Sequence, residues 1–434
     1  METKQFQKWL NSYSVKMVIV AVLALFLLIP TVWIQEIIKE RIALKNKVEA
    51  DLCQLWGASQ VVAGPVLNVP YTYLQSKDNN EGFVEYSSTA HFLPESLKVQ
   101  VELIPEIRYR GIYKMPVYES HIRMKGHINR ANFAQLGIDA NRIDWDDAYF
   151  TMGITDLRGI KDTVLMKMNQ LSTSVEPGLP DSDLFTSGIT LKTNSPLQDQ
   201  DLDFEVQFIL NGSSGLSVEP LGKSTEVSMQ SSWIDPSFTG AFLPDNREVN
   251  NDGFTAKWLV THLNRNYPQH WTGKKYKTEE SAFGVSLLMP VDHYQKATRS
   301  VKYAILFIAL NFIVFLFIEI RNKKRIHPFQ YSLVAFALLL FYTLLVSIGE
   351  QIGFNAAFAI SAIAVTALVS WYARSILGAI KPTLWITGLQ LALYLFLFTI
   401  LQLQDYALLM GSIGLFVILG LIMKASQQIK WYSE

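Results

Sequence analysis

The stretch Tyr303–Arg325, YAILFIALNFIVFLFIEIRNKKR, decides what kind of chain this is. From Tyr303 to Ile320 it is apolar except for Asn311 and Glu319. About 20 such residues in helical form cross a bilayer core, because backbone groups in hydrocarbon must satisfy one another. Arg321, Lys323, Lys324 and Arg325 follow with no acid among them, the charge pattern of a loop kept on the cytoplasmic side.

Outward from this segment the pattern repeats. Tyr331–Ile348, Phe354–Tyr372, Thr383–Leu401 and Tyr406–Met423 are further spans, and Met17–Ile34, preceded by Lys4, Lys8 and Lys16, is another near the N-terminus. The next loop holds Glu350, the one after it Arg374 and Lys381, the next Asp405, and the tail Lys424 and Lys430. Positive and non-positive loops alternate, so the loops after the second, fourth and sixth spans are expected in the cytoplasm with both termini, and residues 36–300 outside it. Lys39, Arg41, Lys45 and Lys47 argue the other way, but they are interleaved with Glu36, Glu40, Glu49 and Asp51. Long domains translocate with little regard to such charge. No small-residue cleavage site follows Ile34, so the first span reads as an uncleaved anchor, with Pro30 tolerated near its end. Tyr303, Tyr331, Trp371, Tyr372, Trp385, Tyr406, Trp431 and Tyr432 stand near span ends, where amphipathic rings favour the headgroup level.

The averages hide this division: the 434 residues are 50% hydrophobic and 18% charged, with zero formal net charge. No basic footprint for nucleic acid emerges. The single cysteine, Cys53, excludes an intramolecular disulfide and reads as a packed or partly exposed thiol.

Between the first two spans the hydrophobic period changes to two. Leu97, Val99, Val101 and Leu103 alternate with polar residues, as do Leu202, Phe204, Val206 and Phe208, then Ile122, Met124 and Ile128, and finally Phe254, Ala256, Trp258 and Val260. Turns at Asp78–Gly82, Asn211–Gly215 and Asn250–Gly253 separate half-buried strands of a sandwich-like β domain. Glu36–Leu55 continues the anchor as a polar helix, Lys161–Gln170 admits a short helix, and the Pro-, Ser-, Thr- and Gly-rich stretch 172–197 divides the domain into two lobes on this reading. The expected fold is therefore an α+β membrane protein: residues 1–35 with the anchor helix, 36–300 as a β-rich domain, and 301–434 as a bundle of five transmembrane helices.

Candidate sites are few. His121 and His127 share a strand face with Arg123 and Lys125, a cationic setting that repels a metal ion, and the sequence places no carboxylate on that face. His262 keeps step with Trp258 and Val260, at a packed or partly buried position. No nucleophile elbow, zinc-protease, P-loop or paired-cysteine motif occurs, and no catalytic residue, metal or cofactor is called for, although a site assembled from distant positions stays open. Trp233 and Phe238, within the Pro- and Gly-bearing block 232–244, read either as an aromatic ligand surface or as a rigid connection packed on the sheet. Arg110, Asp156, Arg158 and Arg247 are candidates for ligand contact, or for structural pairing at strand ends. Asn311 is central in its span and suited to a hydrogen bond across helices; Glu319 is one turn from the end and expected to reach headgroups or pair beside Arg321. Two polar exceptions in one span fall short of the several a transport path shows.

Collinear pieces of the chain carry a family resemblance. They are Leu28-Ile29-Pro30 with Ile37–Arg41, Gly64-Pro65 with Pro70, Phe92–Leu97, Arg110–Tyr113, Asp156–Ile160, the block 233–244 with Arg247–Val249, Pro290–Gln295 and Lys302–Leu306. In these the chain resembles the CreD family of bacterial inner-membrane proteins across nearly its whole length. The resemblance implies an envelope-integrity role in a Gram-negative inner membrane, controlled by a sensor kinase and response regulator and linked to tolerance of stress such as β-lactams. It implies no catalytic residue. The expected function is envelope maintenance, non-enzymatic, through a periplasmic β domain that meets a partner or ligand while the helices sit in the lipid bilayer; a transporter or lipid-handling protein is the alternative.

Overall fold

A computed structural model describes residues 13–76, 83–131, 133–169, 173–193, 200–287, 293–322, 326–403 and 406–427. The expected turn Asp78–Gly82, the basic residues Lys323–Arg325 and Asp405, and the tail from Lys430 lie outside them. The chain divides into two compact units, one made of Met1–Asn46 with Val291–Glu434 and the other of Lys47–Pro290.

The first unit is helical. Among the described residues, six helices are long and apolar enough to cross a membrane, beginning with the stretch Met17–Trp56. That stretch is α1 (Tyr13–Phe26) and α2 (Leu28–Trp56), separated by an irregular residue at Leu27. Pro30 explains the break, since its ring lacks an N–H and crowds the carbonyl four residues earlier, at Phe26. After the short α3 (His293–Lys302) come α4 (Ala304–Asn322), α5 (Pro328–Ile352), α6 (Phe354–Leu377), α7 (Ile380–Gln402) and α8 (Ala407–Ser426). Their ends follow ordinary capping chemistry. His327 Nδ1 accepts from the Phe329 N–H ahead of Pro328 at the first turn of α5, and α6 stops at Gly378, whose φ of 61° suits a residue without Cβ. Of the aromatic residues expected at headgroup level, Trp371 and Trp385 are exposed on their helices and Tyr406 is exposed just before α8. Tyr331 is not: it is buried, and its hydroxyl donates to Glu319.

The second unit is built from sixteen strands among the described residues. In chain order they are β1 (Gln60–Ser76), β2 (Phe83–Phe92), β3 (Ser96–Arg110), β4 (Tyr113–Ile128), β5 (Tyr149–Ile154), β6 (Leu165–Met168), β7 (Thr173–Pro177), β8 (Gly188–Thr193), β9 (Leu202–Ser213), β10 (Gly215–Val218), β11 (Ser224–Ser231), β12 (Pro236–Gly240), β13 (Asn246–Asn250), β14 (Gly253–Thr261), β15 (His270–Thr272) and β16 (Phe283–Leu287). One sheet runs β12-β16-β10-β1-β5-β8-β7, with β2 and β15 joined through β1; the other runs β13-β14-β11-β3-β4-β9-β6.

The alternation read from sequence is the alternation observed. In β3, β4, β9 and β14 the expected apolar residues are buried, and they pack with Val62, Leu67, Val69, Phe150 and Met152 of the first sheet into one core. Residues 161–170 require a correction: no helix forms at 165–168, which is instead β6, paired with β9 and burying Met166 and Met168 on alternate positions. Apolar spacing of two was there to be read, but so short a run specifies a strand only when a neighbour supplies its hydrogen bonds. The 173–193 segment adds β7 and β8 beside β5 in the first sheet.

Register makes this core testable at adjacent residues. Trp258 is 1% exposed and Leu259 59%. Trp258→Ala is expected to destabilise the unit by about 3–5 kcal/mol, whereas Leu259→Ser stays within about 0.5 kcal/mol. Pulse proteolysis of the detergent-solubilised chain in urea measures both; equal losses would contradict the register.

Candidate functional site

Side chains with chemical potential collect in several places, and a row set by strand register forms the first. Asn68 of β1 lies opposite His91 of β2 on one side and Tyr149 of β5 on the other. Their neighbours Leu67, Val69, Ala90, Phe92 and Phe150 face the main core, so alternation turns this row to the opposite face of the first sheet. Loops cover that face. Residues 178–187 and 262–282 bring Phe185, Tyr267 and Trp271 against Ala63, Val66, Leu93 and Leu221 in a second, smaller core.

Hydrogen bonds assign the His91 tautomer. Asn68 Nδ2 donates to the Val66 carbonyl at 3.1 Å and to Thr151 Oγ1 at 2.9 Å, which leaves Oδ1 as the acceptor facing His91 Nδ1 at 2.7 Å. The ring proton is thus on Nδ1. Nε2 then presents its lone pair with Asp183 Oδ2 at 3.6 Å, beside Trp271. Asp181, whose Oδ1 accepts from the Asp183 N–H, takes the Tyr149 hydroxyl at 2.7 Å. Burial lowers the His91 pKa and outweighs the opposing pull of Asp181 and Asp183, so the ring is neutral. No hydroxyl among the described residues is hydrogen-bonded to Nε2. The ring is therefore a buried proton acceptor next to a carboxylate, lacking the nucleophile contact that a triad requires.

The same covered face buries two further charged residues that the sequence reading missed. Arg265 donates to the carbonyls of Tyr267 at 2.8 Å and Leu221 at 3.2 Å and to Gln269, with its guanidinium 4.1 Å from the Tyr267 ring centroid. It pins the 262–282 loop to the sheet. Glu219, 5% exposed, is pushed up to about 7 chiefly by burial, reinforced by the nearby Glu279. Alternation put Asn68, His91 and Thr151 on one face, but nothing local said that loops from residues 178–187 and 262–282 would seal it.

The candidates named from sequence fall elsewhere. Arg110, Asp156 and Arg158 gather where the last turns of α2 meet the sheets. Arg110 faces Asp51 at 3.5 Å, and Arg108 stacks over Trp56 at 4.3 Å. Asp156 accepts from the Ala58 and Arg158 N–H groups and, bidentately, from the Arg158 guanidinium at 2.9 and 2.8 Å, a bond that holds its carboxyl below the usual range. Gln60 Nε2 bridges the carbonyls of Asp156 and Asn211, both at 3.0 Å, and Cys53 Sγ accepts from Ser213 at 3.1 Å. Trp233 and Phe238 lie at another edge. Phe238 meets Phe254 and Trp258 edge-on and carries Arg247 at 5.8 Å, so its ring turns into the core, while Trp233 Nε1 donates to the Asp235 carbonyl at 3.1 Å.

The face with His121 and His127 differs from its expectation. Carboxylates do share it: Glu119 takes His121 and Lys161, Asp203 takes His127 at 2.8 Å, and Glu205 takes Arg123 and Lys125. Asp203 and Glu205 arrive from β9, far along the chain, and neutralise the cations. Among the described residues no His, Cys, Asp and Glu cluster has the make-up of a metal site. In the helical unit, Glu319 is 2% exposed and held by Tyr331 at 3.0 Å, rather than reaching the surface, and Asn311 accepts from Gln390 across helices at 3.3 Å.

Glu219 supplies a pH test. Its folded pKa exceeds the unfolded 4.5, so the neutral form's contribution is fully present below pH 4.5 and is lost as pH rises through 7. His91 acts in the opposite sense over an overlapping range, costing stability as pH falls below 6.5. Glu219→Gln is expected to gain about 3 kcal/mol relative to the parent between pH 5 and pH 9, from a shift of roughly 2.5 units at 1.36 kcal/mol each. Unfolding midpoints of the full chain at the two pH values measure it; parallel curves would show that the carboxyl is not buried.

Comparison with known proteins agrees with this architecture along its length. The family model described as "Inner membrane protein CreD" matches residues 12–432. The Escherichia coli (strain K12) protein named "Inner membrane protein CreD" is 32% identical over 416 residues, covering 94% of this chain and 91% of its own. A long apolar N-terminal helix, a large two-sheet β unit and five apolar C-terminal helices, matched over nearly every residue, make this chain a member of the CreD family of inner membrane proteins.

Proposed function

We propose that this protein maintains the cell envelope under stress, β-lactam exposure included, as a non-enzymatic inner-membrane protein whose β unit stands in the periplasm and meets an envelope partner or ligand. The observation that carries the reading is the division of the chain: Lys47–Pro290 fold as a unit with their own cores between segments long and apolar enough to span a bilayer. The alternating loop charges support an outer position for that unit and cytoplasmic termini. Binding is favoured over catalysis by the chemistry of the β unit. Among the described residues, His91 Nε2 has no hydroxyl to activate. Transport is the second reading, favoured by the buried Gln390–Asn311 hydrogen bond inside the bundle.

Deletion of the gene is expected to lower survival in β-lactam and in detergent, and the full chain to restore it where a chain with residues 57–287 exchanged for an unrelated exported domain does not. Alkaline phosphatase fused after Asn250 is expected to be active and after Asn322 inactive. Unchanged survival of the deletion strain would remove the maintenance role, and an inactive fusion at Asn250 the periplasmic placement.

A further inference from the structure

In the helical unit, α8 is the least buried of the six long apolar helices, with 6% of Ala407–Lys424 covered. It approaches α7 closely at Gly414, where the Phe396 ring occupies the place a Cβ would take. One turn earlier the two helices part. A Cβ added at Gly411 would meet nothing within 4 Å.

The space so left is a cavity of about 60 Å³ walled by α4, α7 and α8. Tyr303 and Leu310 of α4, Leu393 and Ile400 of α7, and Gly411 and Ile418 of α8 mark its extent, about 10 Å along each helix. A small volume drawn out over that length is a slot, which excludes compact solutes and suits a single methylene chain. Its wall is apolar apart from the Tyr303 hydroxyl, and Leu415, 46% exposed, stands where it opens away from the bundle. An unfilled slot between helices forfeits dispersion contacts, and packing is what holds such helices together. Within a bilayer the chain at hand to fill it is a lipid acyl tail.

Charge at one mouth of the slot selects among lipids. The α4 wall, followed back one turn from Tyr303, reaches Arg299 of α3, and the α7 wall, followed on from Ile400, reaches Leu403. The two stripes meet there, with Arg299 Nη2 donating to the Leu403 carbonyl at 3.3 Å. Beside them Lys296 Nζ donates to Gln402 Oε1 at 2.9 Å, and Lys302 is exposed. Among the described residues neither Arg299 nor Lys296 is bonded to a carboxylate. Glu350, which α5 brings to the start of α3, is already taken by the Tyr294 hydroxyl at 3.0 Å and faces Arg41 at 3.6 Å. Cations gathered at a span end recruit anionic head groups, and a guanidinium matches phosphate oxygens.

We propose that the slot between α4, α7 and α8 seats an acyl chain of an anionic phospholipid whose phosphate lies against Arg299, Lys296 and Lys302. The tail fills the gap that Gly411 leaves, and the head group supplies the countercharge that α3 lacks. The lipid thereby ties the loosely held α8 to α4 and α7. This site goes beyond the envelope role and is read without it.

Native mass spectrometry of the purified, delipidated full chain tests this, with dioleoylphosphatidylglycerol or dioleoylphosphatidylcholine added back. The anionic lipid is expected to bind about tenfold more tightly than the zwitterionic one. Arg299→Gln should bring the two lipids to the same level. Gly411→Phe, which fills the slot, should weaken both at least about fivefold, whereas Ile413→Phe, of the same added ring on the opposite face of α8, should leave both unchanged. Glycerol 3-phosphate, a head without a chain, should neither bind nor displace lipid. Variants are compared once their circular dichroism and gel filtration match the parent; Arg299→Gln, outside the slot, carries the test if Gly411→Phe does not fold. Equal binding of the two lipids by the parent, or parental binding by Gly411→Phe, would overturn the site. Displacement of lipid by glycerol 3-phosphate would show an anion site without a chain, and a two-chain mass that Gly411→Phe reduces to one would give this face to a second copy; either overturns the proposal. A null deletion phenotype would remove the envelope role and leave this result untouched.

Discussion

A peptide group in hydrocarbon must find its hydrogen-bond partner inside its own segment, and that constraint divides this chain. Where some 20 residues are apolar, a helix is the one open solution, and the chain takes it six times among the described residues. Between the first two spans polar residues return at every second position and the backbone instead pairs across strands. Pro30 marks where a helix inside the first span gives way and resumes, since the missing N–H and the crowded Phe26 carbonyl break the ladder locally.

In the β unit, alternation gives each sheet two faces, and the two sheets use them differently. The outer face of the second sheet is a charge ladder in water, with Lys98 on Glu226, Arg123 and Lys125 on Glu205, and His127 on Asp203. Exposed pairs of this kind contribute little to stability and set solubility and register instead. The outer face of the first sheet is sealed by loops, so His91, Glu219 and Arg265 lose water without gaining a strong counter-charge. Burial therefore dominates their ionisation, and the folded unit holds a neutral imidazole and a carboxyl that titrates near neutrality. Glu219 then disfavours the fold as pH rises from 4.5 through 7 while His91 disfavours it as pH falls below 6.5, so the two oppose each other, a consequence of which face was covered.

The helical unit repeats the lesson in another solvent. Trp371 and Trp385 stand exposed on the outside of their helices, and the interior keeps a small set of amides and hydroxyls that hydrocarbon alone would penalise. Tyr331 belongs to that interior, although its place near a span end read as a headgroup anchor. Its hydroxyl holds Glu319, whose proximity to Arg321 had suggested a surface position.

The sequence by itself determined the number and order of the long apolar helices, the helical continuation of the first, the two-residue period of β3, β4, β9 and β14, and the family. Each depends on a local periodicity or on motif order, which needs no knowledge of distant residues. Only the tertiary structure decided that Asn68, His91 and Tyr149 stand in one row, that residues 178–187 and 262–282 cover them, that Asp203 and Glu205 neutralise the strand bearing His121 and His127, and that Gln390 reaches Asn311. Those facts depend on register and packing between segments far apart in the chain, and burial, which sets the chemistry of every one of these groups, exists only once the partners have met.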